Sequence, residues 1–248
     1  MPRLPSLRRP PIAFAHRGAR AHAPENTLDA FGLALRLGAT GLESDVWSTA
    51  DGIAVLDHDG VVRRGARRRP IAEVARADLP PHIPTLEELY ALCGDRVEVS
   101  LDVKDARAAA TVVAVARACG GSAPERLWLC HPSLDVVAGW RSLGDDIRLV
   151  DSTRLRAITE GVERRAARLR NVGVDALNLH HTDWNGGLIA LVHRFERHAF
   201  AWDAQLPRII AELYDAGIDA LYGDHVDRLV EAVAALAAPG AQVVDDEV

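Results

Sequence analysis

Residues 12–47, IAFAHRGARAHAPENTLDAFGLALRLGATGLESDVW, contain the unit from which the fold can be read. Ile12–Ala15 is an apolar run of strand length. Asn26–Leu37 carries its apolar residues at helical spacing, with Asn26 or Thr27 available to cap the first turn, and Gly41–Trp47 returns to a strand pattern. A strand, a helix and a second strand joined by short connections imply parallel strands linked by a crossover helix.

The same alternation continues to the end of the chain. Val97–Val103, Leu127–Cys130, Ile147–Val150, Ala176–Leu179, Ala199–Trp202 and Ala220–Tyr222 read as strands. Helical patterns separate them near Thr85–Ala91, Ala106–Cys119, Leu134–Arg141, Glu160–Asn171, Gly187–Arg197, Pro207–Ala216 and Val226–Ala237. Ile53–Leu56 follows its predecessor too closely for a helical crossover and reads as an accessory strand. That leaves eight strands in 248 residues, close to the ~250 of a (β/α)8 TIM barrel. The expectation is one barrel domain with an outer ring of helices and a core spanning about 12–237. An open doubly wound sheet is the competing arrangement, but no G-x-G-x-x-G follows the first strand. Val61–Pro84, rich in arginine and proline, reads as a loop beside the barrel mouth, and its arginines as a solvated face. Pro239–Val248 reads as a disordered tail.

Composition narrows the class. Hydrophobic residues are 48% of the chain but aromatics only 5%, so the core is expected to be mostly Ala, Val, Leu and Ile. A net charge of −6 lacks the basic footprint of a nucleic-acid binder. Cys93, Cys119 and Cys130 are odd in number and widely spaced, which fits reduced, mostly buried thiols rather than a disulfide framework. No secretory signal pattern and no membrane-spanning run is present, so the expected compartment is the cytoplasm. Lys104 is the only lysine; every other one of the 29 basic side chains is arginine.

The chemistry-bearing residues cluster at strand ends in the first half. Glu43 and Asp45, two apart on a strand, share a face. At a barrel mouth their repulsion calls for a positive charge, and Asp102 on the neighbouring strand adds a third oxygen donor. Three carboxylates suit one hard divalent ion, Mg²⁺ or Ca²⁺, with Mn²⁺ also accommodated. Lys104 shares the face of Asp102 and can contact a phosphate oxygen. His16 and His58 form the candidate acid–base pair, because imidazole exchanges protons near neutral pH. Arg17 can grip a phosphate in a planar fork, and Gly18 allows close backbone approach. His22, His82, His193 and His198 read as bystanders, and helix capping is enough to explain Asn26 and Thr27. Asn178, Trp202 and Tyr222 are the candidate substrate contacts, and Trp184 and Asn185 are expected to shape the pocket.

In order and spacing, His16-Arg17-Gly18, Glu25-Asn26-Thr27, Glu43-x-Asp45, Thr49-x-Asp51-Gly52 and His58-Asp59, followed by Ile83-Pro84-Thr85-Leu86-Glu87-Glu88 and Gly223-Asp224, resemble the glycerophosphodiester phosphodiesterase family over roughly residues 12–230. The resemblance implies a barrel enzyme that hydrolyses small-molecule glycerophosphodiesters to sn-glycerol 3-phosphate and an alcohol. It implies His16 and His58 as acid and base, Arg17 as phosphate ligand, and Glu43, Asp45 and Asp102 as metal ligands. Asp102 stands where the family usually has glutamate. Cys130-His131-Pro132, Trp202-Asp203-Ala204 and Gly223-Asp224-His225 depart from the common strand ends, which bears on substrate identity. Rival readings are a phospholipase-like enzyme releasing a cyclic phosphate, a non-catalytic phosphate-ester sensor, and an aldolase-type barrel using Lys104. The sequence leaves open whether the chain forms a homodimer.

Overall fold

The structure, a computed structural model, describes residues 4–64 and 67–237. In chain order its elements begin with β1 (Ile12–Ala15), α1 (Leu28–Arg36), β2 (Gly41–Ser48), β3 (Ala54–Leu56), β4 (Val61–Arg64) and β5 (Arg67–Pro70). They continue with α2 (Leu86–Cys93), β6 (Glu98–Val103), α3 (Ala109–Cys119), β7 (Leu127–His131), α4 (Leu134–Gly139), β8 (Arg148–Ser152) and α5 (Val162–Asn171). The last are β9 (Ala176–His180), α6 (Gly186–Arg194), β10 (His198–Trp202), α7 (Pro207–Asp215), β11 (Ala220–Gly223) and α8 (Val226–Ala237). The order β1-β2-β6-β7-β8-β9-β10-β11 closes on itself through β11–β1 pairing, giving eight parallel strands in a barrel. The expected TIM barrel is therefore the observed fold, and the open sheet is excluded. β3 pairs antiparallel with the end of β2, as the accessory strand predicted for that segment.

Strand periodicity sorts the side chains into two layers. Ile12, Phe14, Trp128, Cys130, Val150, Ala176, Phe200, Ala220 and Tyr222 form one cluster, the barrel interior. The intervening residues, such as Ala13, Leu42, Leu101, Leu129, Leu149, Leu177 and Leu221, face the helices. The expectation of a core made mostly of Ala, Val, Leu and Ile holds. Aromatic rings are concentrated in the interior: Phe14 and Tyr222 stack with ring centres 4.6 Å apart, and Trp128 meets Phe200 at 4.9 Å. Large rings fit because small residues stand opposite them. A side chain on Gly41 would meet the Phe14 ring at 2.3 Å.

Two other expectations need correction. Val61–Pro84 is not a bare loop. It holds the β4–β5 hairpin, and Ile71, Val74, Leu79 and Ile83 bury with Val55 in a small core of their own, against which Trp47 packs. Its apolar residues are spaced too irregularly to announce this in the sequence. Cys93 is partly buried, Cys130 lies in the barrel interior and Cys119 is exposed, so burial of the thiols is only partial; all three are free. The tail from Pro239 lies outside the described residues. No helix among the described residues is long and apolar enough to cross a membrane.

The end of the barrel opposite the strands' C-termini is closed by the N-terminal segment. Asp219, just before β11, is fully buried. It accepts hydrogen bonds from the Ser6 hydroxyl (2.6 Å), the amides of Leu7 (2.7 Å) and Ala199 (2.7 Å), and His193 Nε2 (2.8 Å). Burial alone would raise its pKa, but the hydrogen bonds from His193 and Ser6, with the His198 ring nitrogen 3.7 Å away, outweigh it and hold the carboxyl well below the usual carboxylate range. His193 and His198, expected to be bystanders, are thus structural partners of a buried acid.

Asp219→Asn should destabilise the fold by about 3–5 kcal/mol at neutral pH, the usual cost of breaking a buried charge network. Because its folded pKa is depressed, this stabilisation is full above about pH 4 and is lost as pH falls further, toward the folded pKa. Denaturant titrations should show the gap between wild type and variant constant above that pH and shrinking below it.

Candidate active site

Inward-facing positions carried one step beyond the barrel core assemble the site. The inward series on β1, Ile12 and Phe14, continues to His16; on β2, Gly41 continues to Glu43 and Asp45. On β6 it runs through Ser100 to Asp102 and Lys104, on β9 to Asn178, on β10 to Trp202, and on β11 through Tyr222 to Asp224. Asp45 and Asp102 are register partners across β2 and β6. His16, Arg17, Glu43, Asp45, Asp102, Lys104, Asn178, Trp202 and Tyr222 all line one cavity of about 810 Å³ at the C-terminal ends of the strands. This is the face where barrel enzymes place their chemistry.

Oxygen atoms of Glu43, Asp45 and Asp102 lie within 4.8 Å of one another. Glu43 and Asp45 are only 7% and 2% exposed. Burial, reinforced by the charges of Asp45 and Asp102 and opposed by His16, pushes the Glu43 carboxyl up to about 7. Neighbouring cations offset this concentration of negative charge. Lys104 Nζ stands 2.9 Å from Asp45 Oδ1 and 2.9 Å from Asp102 Oδ2. Arg17 Nε lies 3.2 Å from Asp45 Oδ2, off the axis of a hydrogen bond, while its Nη1 donates to Glu25 at 3.1 Å. A convergent, desolvated, all-oxygen donor set of this kind fits a hard divalent cation.

The loop after β1 is bent to serve this cluster. Arg17 has φ 52°, in the left-handed region that most side chains avoid. The bend aims its amide at Glu43 Oε2, 3.0 Å away, while its carbonyl accepts from the Asn26 amide at 3.0 Å. Gly18, at φ 80°, is needed there: a Cβ would meet the backbone of Ala30 at 2.8 Å. Thr27 caps α1 through the Ala30 amide. Asn26 does not cap. It is buried, with φ 54°, its Oδ1 accepting from the Ser44 hydroxyl at 2.7 Å and its Nδ2 reaching Asp45 Oδ2 at 3.5 Å. It therefore supports Asp45, a role that a cap-like sequence conceals.

His16 is oriented from both sides. Its Nδ1 is 2.6 Å from Asp224 Oδ1, which places the proton on that nitrogen and leaves Nε2 toward the cavity, 3.9 Å from Glu43 Oε2. Burial lowers the His16 pKa, but Glu43 and Asp224 outweigh it and the net shift is upward. Sequence reasoning gave Asp224 no role, although strand alternation from Tyr222 points it inward.

The structure does not bring His58 into the cavity lining. It follows β3, its imidazole 42% exposed and its Nδ1 2.9 Å from Asp59 Oδ1. Its backbone is nonetheless close to the cluster, because the preceding Asp57 amide donates to the Asp45 carbonyl at 3.1 Å. Trp184 and Asn185 do not shape the cavity. Trp184 Nε1 donates to the Phe200 carbonyl at 2.8 Å, and Asn185 caps α6. Tyr222 forms part of the cavity floor, its hydroxyl 3.0 Å from Ser100 Oγ. Asn178 donates to Ser152 Oγ at 3.0 Å, while its buried Oδ1 has no hydrogen-bond partner among the described residues. The cavity also exposes His131, Arg154, Arg156 and Asp203, which sequence reasoning did not place there. Only His131 and Asp203 carried a signal, as departures at the strand ends.

Comparison with known proteins bears on this assembly. Residues 16–228 match the model of the glycerophosphoryl diester phosphodiesterase family. Over 110 residues the chain is 42% identical to human "Glycerophosphodiester phosphodiesterase 1", a match spanning 37% of this chain and 33% of the human one. It is 29% identical to "Probable glycerophosphodiester phosphodiesterase 2" of Mycobacterium tuberculosis, covering 90% of this chain and 91% of that one. The match to a Caldanaerobacter subterraneus "Glycerophosphodiester phosphodiesterase" likewise spans less than half of that relative, 45%. Among solved structures, the Thermotoga maritima glycerophosphodiester phosphodiesterase superposes with a TM-score of 0.76 at 22% identity, covering 89% of this chain and 97% of that one. An Oleispira antarctica phosphodiesterase in complex with the product sn-glycerol-3-phosphate gives 0.76 at 22% identity, over 90% and 97% of the chains. With a matching family model from His16 to Arg228 and the same barrel in these structures, the chain belongs to the glycerophosphoryl diester phosphodiesterase family.

Proposed function

We propose that this protein hydrolyses glycerophosphodiesters to sn-glycerol 3-phosphate and an alcohol. The observation that carries the reading is the meeting of an Asp224-oriented imidazole, His16, with three convergent carboxylates in one cavity. Family membership supports it, as does the product complex of the Oleispira antarctica relative. In this proposal Glu43, Asp45 and Asp102 hold one divalent cation, Mg²⁺, Ca²⁺ or Mn²⁺, which when bound supplies positive charge against the phosphoryl oxygens.

The protein's own residues do the rest. Arg17 and Lys104, on either side of Asp45, face the diester and bind its non-bridging oxygens. The Oδ1 of Asn178 accepts a hydrogen bond from a substrate hydroxyl, and Trp202 borders the leaving group. His16 and His58 divide the proton transfers. One takes the proton of the glycerol 2-hydroxyl as that oxygen attacks phosphorus. The other protonates the alcohol oxygen as its bond to phosphorus breaks. Water then opens the cyclic phosphate with the two roles exchanged, regenerating both histidines. In this proposal His58 takes part by turning from Asp59 toward the substrate. Asp224 keeps His16 in the tautomer whose Nε2 faces the reaction.

Phosphorus NMR of the purified protein with glycerophosphoglycerol and Mg²⁺ should show glycerol 3-phosphate as the final product. A persistent cyclic phosphate would instead assign the phospholipase-like reaction, and no turnover across Mg²⁺, Ca²⁺ and Mn²⁺ would remove the hydrolase reading.

His16→Ala and His58→Ala should each lower kcat by about 10²–10⁴ with the fold retained. Wild-type rates in either variant would end that histidine's assignment.

Excess EDTA should abolish turnover and added divalent ion should restore it, whereas Glu43→Gln should fail to recover. Full activity in EDTA would take the cation out of the scheme.

A further inference from the structure

The cavity extends beyond its chemistry. The carboxylates, His16, Arg17 and Lys104 occupy the side formed by β1, β2 and β6. The opposite wall is built by the connection from β8 to α5 and by the end of β10, and its charge is arranged differently. Arg154 donates through Nε to Asp183 Oδ2 at 2.8 Å, and the Leu155 amide donates to the same oxygen at 3.0 Å, so one carboxylate fixes both the side chain and the turn that carries it. The Arg154 guanidinium carbon is held 5.5 Å from the centre of the Trp202 ring. The His180 ring meets Trp202 edge-on, with centres 4.5 Å apart and planes at 85°. Two residues on, Arg156 lines the cavity, is exposed, and has no hydrogen bond or ion pair among the described residues.

The cations bordering the cavity therefore differ in what balances them. Arg17 and Lys104 face Asp45 and Asp102, Arg154 faces Asp183, and Arg156 faces no carboxylate. Asp203, the acid of this wall that lines the cavity, already receives hydrogen bonds from His180 Nε2 at 3.2 Å and Gln205 Nε2 at 3.1 Å. The Thr182 amide donates to His180 Nδ1 at 3.2 Å, which keeps the His180 proton on Nε2 and directed at Asp203. A quaternary-ammonium head group is recognised by an open aromatic face with anionic neighbours. Here a guanidinium covers that face. A ligand anion, by contrast, finds one cation fixed over the ring and a second unopposed beside it.

We propose that Arg154 and Arg156 form an anion-binding subsite for the leaving alcohol, so that the preferred diesters are those whose alcohol carries its own phosphate. The inference rests on the hydrolase reading and adds the substrate class to it. A cavity of about 810 Å³ has room for a ligand with two phosphate groups. The second phosphate can belong to an inositol phosphate or to a glycerol phosphate, since both present the same charge to the two arginines.

The test compares kcat/KM for glycerophosphocholine, glycerophosphoglycerol, glycerophosphoinositol 4-phosphate and glycerophosphoglycerol phosphate. The last two should exceed glycerophosphocholine by at least about tenfold, and their ranking separates the inositol source from the glycerol source. Arg156→Glu should cut the anionic-to-choline ratio by about tenfold or more, the scale of a charge-assisted hydrogen bond lost and its charge reversed, and Arg156→Lys should restore most of it. Glycerophosphocholine turned over as well as the anionic diesters, or a ratio unmoved in Arg156→Glu, would overturn the subsite while leaving the hydrolase intact. If no diester is turned over, the hydrolase reading fails instead, and calorimetric binding of inositol 1,4-bisphosphate still decides the subsite. Binding weakened by about tenfold in Arg156→Glu supports it; equal binding in both proteins, or binding no tighter than that of inorganic phosphate, refutes it.

Discussion

Like charges crowded into a desolvated space are the constraint around which this protein is organised. Glu43, Asp45 and Asp102 bring three carboxylates to one point at the barrel mouth, where Glu43 and Asp45 are buried away from water and burial raises the Glu43 pKa. Isolated in a low-dielectric environment, such a group would neutralise itself by taking up protons or move apart. Instead Lys104 bridges two of the acids, Arg17 flanks one of them and offers its amide to Glu43, and Asn26 turns its amide toward Asp45. The left-handed conformations of Arg17 and Asn26 are local strain held in place by this network.

The network depends on a scaffold that does not shift. The aromatic interior beneath the mouth, with Phe14 stacked on Tyr222 and the Tyr222 hydroxyl against Ser100, is continuous with the floor of the cavity. A rigid floor keeps the strand ends in register, so that Asp45 and Asp102 remain neighbours. At the other end the buried carboxylate of Asp219 ties the N-terminal segment, α6 and β10 together through hydrogen bonds. Stability and chemistry thus sit at opposite ends of the barrel, each built around buried carboxylates with many partners.

The two sides of the mouth also differ in kind. One side concentrates acids that need cations, and the other presents cations fixed by Asp183 or left open. Under the proposed function, this polarity would orient a diester along the cavity, with the reacting phosphate toward β1, β2 and β6 and the alcohol toward β8 and β10. The proposed reaction class rests on the first side. The second side is formed by a loop and by the end of β10, where Asp203 is one of the departures from the strand ends common in the family; such loop positions are where substrate preference is expected to vary.

Much of the fold and the inner site was legible in the chain because both follow from short-range periodicity. Alternating strands and helices imply parallel crossovers, and two-residue spacing places Glu43 with Asp45, and Asp102 with Lys104, on a common face. Asp224 could have been read in the same way from Tyr222. What the sequence could not supply was distance between segments far apart in the chain. Only closure of β11 against β1 puts Asp224 at 2.6 Å from His16, only the packing of the β1–α1 loop turns Asn26 from a cap into a partner of Asp45, and only the tertiary fold seats Arg154 on Trp202 while leaving His58 at the rim. Local pattern determined which residues point inward; the closed barrel decided which of them meet, because a contact across the ring has no periodicity along the chain.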